Sequence, residues 1–286
     1  MSVEPRLASL PPLLYEPLVR RALEEDLGRA GDLTSDAILP PDLLAEAAVV
    51  ARKAGRIAGL EAATSAFRIL DPKVQVELRS ADGRDAAAGE VLALVRGPAR
   101  SILSAERTAL NLLGRLCGVA TTTRDLVALV ASHGTRIVCT RKTTPGLRAL
   151  EKYAVRAGGG SNHRFGLDDA VLIKDNHVAL AGGIRPAVER ARAYVGHLVK
   201  IEVEVDSLEQ LGEALDLKVD VVLLDNMSLD TLREAVRMAK GKTLTEASGG
   251  ITPQTAPAVA ATGVDMISVG WLTHSSPALD VALDIR

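Results

Sequence analysis

The stretch Val199–Asn226, VKIEVEVDSLEQLGEALDLKVDVVLLDN, holds one full period of the chain's organisation. Val199–Val205 is a short run rich in β-branched residues. Ser207–Leu215 carries apolar side chains at helical spacing, and Asp220–Asn226 is a second apolar run ending in a carboxylate and an amide. Strand, helix and strand therefore follow in order. Working outward, further runs of the strand type lie at Arg136–Thr140, Ala170–Asn176, Thr243–Ser248 and Met266–Gly270, with helical stretches at Ile184–Tyr194 and Leu229–Lys240. The first interval is longer and holds a loop as well as a helix. Strands alternating with helices at spacings of roughly 20 to 35 residues predict a parallel sheet, closed into a barrel or doubly wound.

Where the polarity falls favours the barrel. Each run is apolar until its C-terminal end and then changes character: Thr140-Arg141-Lys142, Lys174-Asp175-Asn176, Glu202 through Asp206, Asp225-Asn226, Ser248-Gly249-Gly250 and Gly270. A β/α barrel builds its site from the C-terminal ends of many strands, whereas a doubly wound sheet concentrates it at one switch point. The first 115 residues differ. An amphipathic helix at Tyr15–Asp26 and a turn-rich run at Gly28–Pro41 precede strands at Ala45–Arg52, Val74–Leu78 and Val91–Val95, with a helix at Glu61–Leu70. Residues 1–115 are expected to form a small α+β domain. A helix at Ser101–Leu116 leads into a barrel over 116–272, and the tail 273–286 is expected to return to the first domain.

Bulk properties narrow the function. With 286 residues, 47% of them hydrophobic, the chain can bury a large core. A net charge of −2 and 2% aromatic residues argue against nucleic-acid coating and base-stacking platforms. Cys117 and Cys139 lack the spacing of a disulfide framework or a metal site. Glu4, Glu16, Glu24, Glu25 and Asp26 among the N-terminal apolar residues argue against a signal peptide, and no apolar run is long enough to span a bilayer. A cytoplasmic protein is expected.

Against that neutral background one segment is cationic. Between Arg141 and Lys174 lie Arg141, Lys142, Arg148, Lys152, Arg156, Arg164, Lys174 and His163, opposed only by Glu151, Asp168 and Asp169. Arg148, Lys152 and Arg156 are expected on a solvated helix face after Pro145. Arg141, Lys142 and Lys174 stand at the ends of buried strands, where a cation needs a partner or an anionic ligand. Gly158 to Arg164 resembles a mobile linker ending in a His-Arg pair suited to gripping a carboxylate. Alternation in Ile201–Asp206 puts Glu202, Glu204 and Asp206 on one face. These carboxylates and Asp225 could hold a divalent ion through water, hold ribose hydroxyls or stabilise a developing cation, and a salt bridge to a lysine is the plain alternative for Glu202. No His or Cys triad is aligned, so zinc is not expected. Ser248-Gly249-Gly250 and Gly270, at successive strand ends, suit a phosphate approached by backbone N–H groups.

Taken together these motifs resemble the quinolinate phosphoribosyltransferases. The resemblance runs over essentially the whole chain, through Glu25-Asp26-Leu27-Gly28, Gly31-Asp32-Leu33-Thr34-Ser35, Ala105-Glu106-Arg107-Thr108-Ala109-Leu110-Asn111, Thr140-Arg141-Lys142-Thr143-Thr144-Pro145-Gly146-Leu147-Arg148, Asn162-His163-Arg164, Ile173-Lys174-Asp175-Asn176-His177, Glu202-Val203-Glu204-Val205-Asp206, Leu224-Asp225-Asn226-Met227 and Ala247-Ser248-Gly249-Gly250-Ile251. It implies an α/β protein with an N-terminal open α/β sandwich and an open, seven-stranded, TIM-like β/α barrel. It implies transfer of the phosphoribosyl group of phosphoribosyl pyrophosphate to quinolinate with decarboxylation, giving nicotinate mononucleotide, pyrophosphate and CO2 with Mg²⁺.

Carried over by motif, Thr140, Arg141, His163, Arg164 and Lys174 would hold quinolinate, with Arg107 donated by the partner chain of a homodimer that could assemble further. Lys142, Glu204, Asp225, Ser248, Gly249, Gly250, Val269 and Gly270 would line the phosphoribosyl pyrophosphate site, with Glu204 and Asp225 on the metal through water. Lys142, Lys174, Glu204 and Asp225 would be the catalytic groups. Neither nucleic acid nor membrane is an expected partner. Two other readings stay open on the residues alone: an aldolase-type barrel using Lys174 as a Schiff-base nucleophile, and a non-catalytic phosphate or nucleotide binder.

Overall fold

The structure is a computed structural model and describes residues 7–286; Glu4, counted above against a signal peptide, lies outside the described residues. The chain divides into two compact units. One comprises 1–124, 143–159 and 272–286, the other 125–142 and 160–271.

The first unit is built on a four-stranded antiparallel sheet. Its strands are β1 (Leu44–Ala51), β3 (Gln75–Leu78) and β5 (Val91–Pro98), with a short pair β2 (Gly55–Arg56) and β4 (Asp85–Ala86) beside them. The remaining strand is β12 (Val281–Ile285) from the C-terminal tail, paired with β1 from Ala47↔Ile285 to Ala51↔Val281. The tail was expected to return here, but no strand was expected in it. Helices Glu16–Leu27 and Leu60–Leu70 fall where periodicity placed them. Within the supposed turn-rich run lies a short helix, Leu33–Ile38, started by Asp32. Its carboxylate accepts the N–H groups of Thr34 (3.1 Å) and Ser35 (3.0 Å) and the hydroxyl of Ser104 (3.0 Å).

The helix expected over Ser101–Leu116 is one continuous element of 32 residues, Ala99–Val130. Nothing in its sequence breaks it, because Gly114 and Gly118 are allowed in a helix and serve close packing. A Cβ at Gly118 would lie 2.0 Å from the Pro277 carbonyl oxygen.

The second unit carries six parallel strands, β6 (Arg136–Val138), β7 (Val171–Ile173), β8 (Ile201–Val205), β9 (Val221–Asp225), β10 (Leu244–Ser248) and β11 (Met266–Ser268). Their order is β6-β11-β10-β9-β8-β7, so the two strands earliest in sequence stand at opposite edges and the barrel is open. The expected seventh strand is reduced to one parallel bridge, Val138↔Ser161. There Ser161 N–H donates to the Ile137 carbonyl (2.8 Å) and Cys139 N–H to that of Ser161 (3.1 Å).

Ser207 and Ser228 cap the helices Leu208–Asp216 and Leu229–Ala239, accepting from Gln210 N–H (3.4 Å) and Thr231 N–H (3.2 Å). Val203, Val222, Leu224, Ala247 and Ile267 are buried along the strands, as parallel sheets covered by helices require.

Candidate active site

The strand ends of the second unit bring the predicted residues together. Glu204, near the end of β8, receives the ammonium of Lys174, just past β7 (Nζ to Oε2, 2.7 Å). A lysine salt bridge was the plain expectation for Glu202; the lysine instead takes Glu204, two residues nearer the strand end, and Glu202 is buried. Glu202 faces His163, whose Nε2 stands 2.8 Å from Glu202 Oε2 and 3.7 Å from Glu246 Oε1. The other ring nitrogen of His163, Nδ1, accepts the N–H of Arg164 (2.8 Å).

Arg164 is tied by Nη1 to the Ala170 carbonyl (3.0 Å). Burial lowers its pKa first and the positive charge of Arg141 lowers it further, against Asp169 and Glu202. An anion bound near both guanidinium groups would relieve that repulsion. Asp169 also organises the turn after Arg164, accepting N–H groups from Phe165 (2.5 Å) and Gly166 (2.9 Å). The Gly158–Arg164 segment expected as a mobile linker is thus held at several points. Gly158 has a packing reason of its own, since a Cβ there would lie 2.4 Å from the Ala120 carbonyl oxygen.

On the other side of the strand ends, the Asn226 side chain donates to Asp225 Oδ2 (2.8 Å) and its backbone is left-handed, with φ of 53°. Asn226 N–H donates to the Ser248 carbonyl (3.0 Å). Its amide fills the space where a side chain at Gly249 would stand, a Cβ there lying 2.1 Å from Asn226 Oδ1. Gly249, at φ of 99°, is therefore required by Asn226 quite apart from any phosphate. Trp271 fixes the loop from behind, donating from Nε1 to the Ile251 carbonyl (2.8 Å). Gly270 leaves room for Lys142, whose Cδ would lie 2.8 Å from an added Cβ, and Thr140 Oγ1 accepts the N–H of Lys142 (3.0 Å). Val269 is buried and has only its backbone to offer.

Two expectations change. Lys152, expected on a solvated face, is 1% exposed, and Arg148 is half-buried with Nε on Thr143 Oγ1 (3.0 Å); only Arg156 is exposed. The neighbouring Glu151 is fully buried and accepts from Arg115 Nη2 (2.8 Å) and from both the N–H (3.0 Å) and hydroxyl (2.8 Å) of Thr144. Leu150, Glu151, Lys152, Ala154, Val155 and Ala157 of this helix are all buried, so two of its charged residues lie inside. Arg107 is exposed on the helix Ala99–Val130 of the first unit. Glu246 and Asn226 were not singled out in the sequence: Glu246 is three positions before a glycine pair that drew attention to itself, and Asn226 shows its importance only through its positive φ.

Among the described residues no helix is long and apolar enough to cross a membrane. Clustered cations beside paired carboxylates, at the C-terminal ends of barrel strands, define an enzyme class that handles anionic substrates with developing positive charge. The particular family follows from comparison. Residues 32–117 match the N-terminal domain and residues 119–284 the C-terminal domain of quinolinate phosphoribosyl transferase, and the chain belongs to that family.

A probable nicotinate-nucleotide pyrophosphorylase [carboxylating] of Bacillus subtilis is 47% identical, covering 96% of this chain and 94% of its own. The Mycobacterium leprae nicotinate-nucleotide pyrophosphorylase [carboxylating] is 43% identical over 93% and 95%. The solved nicotinate-nucleotide pyrophosphorylase of Francisella tularensis superposes with a TM-score of 0.94 at 39% identity, covering 99% of this chain and 100% of that one.

Proposed function

We propose that this protein transfers the phosphoribosyl group of phosphoribosyl pyrophosphate to quinolinate and releases CO2, forming nicotinate mononucleotide and pyrophosphate for NAD biosynthesis. The observation that carries the reading is the Lys174–Glu204 pair, which joins a cluster of cations to the carboxylates of neighbouring strand ends. A simple anion binder has no use for Glu204 and Asp225 beside its ligand. A Schiff-base nucleophile must present its amine to a carbonyl, whereas Lys174 Nζ is turned onto Glu204 Oε2 at 2.7 Å.

Arg141, Arg164 and Lys174 hold the two carboxylates of quinolinate, with Thr140 and His163 beside them, and Arg107 comes from the partner chain of a homodimer. The ring nitrogen attacks C1′ of the ribose while the C1′–O bond breaks and its electrons leave with pyrophosphate. Glu204 and Asp225 stabilise the positive charge that develops on the sugar ring. Lys142 offsets charge on the leaving pyrophosphate, and the N–H groups around Ser248, Gly249, Gly250, Val269 and Gly270 receive phosphate oxygens.

Two carboxylates on adjacent strands suit Mg²⁺, which takes hard oxygen ligands and is commonly held by one or two carboxylates with substrate phosphates completing its shell. The ion supplies charge neutralisation for the departing pyrophosphate. Once the ring nitrogen is alkylated, the pyridinium draws electrons. The bond to the adjacent carboxylate breaks, CO2 departs, the electron pair stays on the ring carbon and a proton takes the vacated position. The cytoplasm is where this reading places the protein. Quinolinate labelled in that carboxylate tests it: labelled CO2 and nicotinate mononucleotide appear one for one, and mononucleotide without labelled CO2 refutes it.

A further inference from the structure

The proposed reaction uses neither Glu202 nor Glu246, yet they lie buried together in the second unit. With His163 they are the one group of three ligand-type side chains, among the described residues, whose polar atoms lie within 4.8 Å of one another. Glu202 is 7% exposed and Glu246 2%, and one oxygen of each, Oε1, has no hydrogen-bond partner. Two carboxylates buried side by side are costly, so their placement calls for a compensating purpose.

The imidazole between them supplies one. A backbone N–H can only donate, so His163 Nδ1, which accepts from Arg164 N–H at 2.8 Å, carries no proton. The ring proton is therefore on Nε2, and Nε2 faces Glu202 Oε2 at 2.8 Å and Glu246 Oε1 at 3.7 Å. Both ring nitrogens are thus engaged by protein groups, and the side chain links two strands of the barrel wall to the backbone of Arg164. Such second-layer carboxylates commonly set the tautomer and orientation of a functional imidazole.

We propose that Glu246, together with Glu202, is a positioning residue for the dicarboxylate pocket. Glu202 accepts the Nε2 proton at 2.8 Å and Glu246, 3.7 Å from the same nitrogen, packs behind it, so that together they keep His163 the Nε2–H tautomer, and through Nδ1 this fixes the backbone N–H of Arg164. This rests on the reading that Arg141 and Arg164 hold quinolinate. Ser268 gives Glu246 a further hydrogen bond, and burial favours its neutral form, so a glutamine at this position preserves both shape and charge.

Two measurements test the proposal. In the wild-type protein labelled with ¹⁵N-histidine, the His163 resonances must show a bare Nδ1 and a protonated Nε2; the opposite tautomer overturns it. In steady-state kinetics, Glu246→Ala is expected to raise KM for quinolinate about tenfold while KM for phosphoribosyl pyrophosphate stays within about twofold. Glu246→Gln is expected to recover most of that loss.

An unchanged KM for quinolinate in Glu246→Ala, or an equal rise in both KM values, overturns the proposal. So does one divalent ion per chain bound at His163, Glu202 and Glu246. If the alanine variant does not fold, the His163 resonances of Glu246→Gln decide, and a switch to the Nδ1–H form refutes the lock. A wild-type protein that makes no mononucleotide from quinolinate refutes instead the functional reading, while the tautomer remains measurable.

Discussion

Lys174 and Glu204, expected to serve separate substrates, are read differently once their contact is known. Each was assigned to a separate substrate, and they meet at 2.7 Å. Lys174→Ala therefore removes a carboxylate-binding cation and also releases Glu204. We expect kcat/KM for quinolinate to fall about 10- to 100-fold, the scale of one lost charge-assisted hydrogen bond. A variant at near-wild-type rate contradicts the assignment.

Glu246 supplies a pH signature at the same scale. Burial first, and then the negative charge of Glu202, push its carboxyl up from 4.5 to about 7, against His163 and the Ser268 hydroxyl. Between those values the folded state keeps a proton that the unfolded state has lost. The stabilisation is thus full below about pH 4.5 and lost as pH rises through about 7, a change of about 3 kcal/mol. Urea midpoints across this window should decline more steeply in the wild type than in Glu246→Gln; parallel profiles would disprove it. Glu246 and Lys152 were illegible in sequence for one reason. A charged residue declares itself buried only through the elements that cover it, and local spacing does not contain those.

At the scale of elements, periodicity located the helices and strands well, and the errors lie where a local device replaced periodicity. The helix Leu33–Ile38 is too short to show a period and depends on its Asp32 cap. Asp32→Ala should cost about 1–2 kcal/mol, read as a lowered denaturation midpoint. A midpoint unchanged from wild type would mean the cap carries no stability. The glycines of the Ser248–Gly250 loop were legible in the sequence, but their dependence on Asn226 was not. Gly249→Ala must displace Asn226 and strain φ at 99°, so KM for phosphoribosyl pyrophosphate should rise several-fold in initial-rate assays. A KM equal to that of wild type would show that the cradle tolerates a side chain.

For the whole molecule, the choice of a barrel over a doubly wound sheet rested on polar residues at six strand ends, and the strand order agrees. The division of the chain was less visible, because 143–159 returns to the first unit between two segments of the second. No sequence pattern marks such an excursion. The proposed donation of Arg107 by a second chain has a specific consequence: mixed Arg107→Ala and Lys174→Ala chains, each strongly impaired alone, should regain up to about a quarter of wild-type activity, since half of the dimers would carry one intact site. No recovery after subunit exchange would place Arg107 in its own chain's site or outside the reaction.

In the proposed reaction the cationic cluster around Arg141, Arg164 and Lys174 serves to hold a second carboxylate. Initial rates with phosphoribosyl pyrophosphate, Mg²⁺ and either quinolinate or nicotinate measure it directly. Nicotinate mononucleotide should form from quinolinate with CO2 released, and nicotinate should be a poor substrate. Product from nicotinate and none from quinolinate would contradict the account.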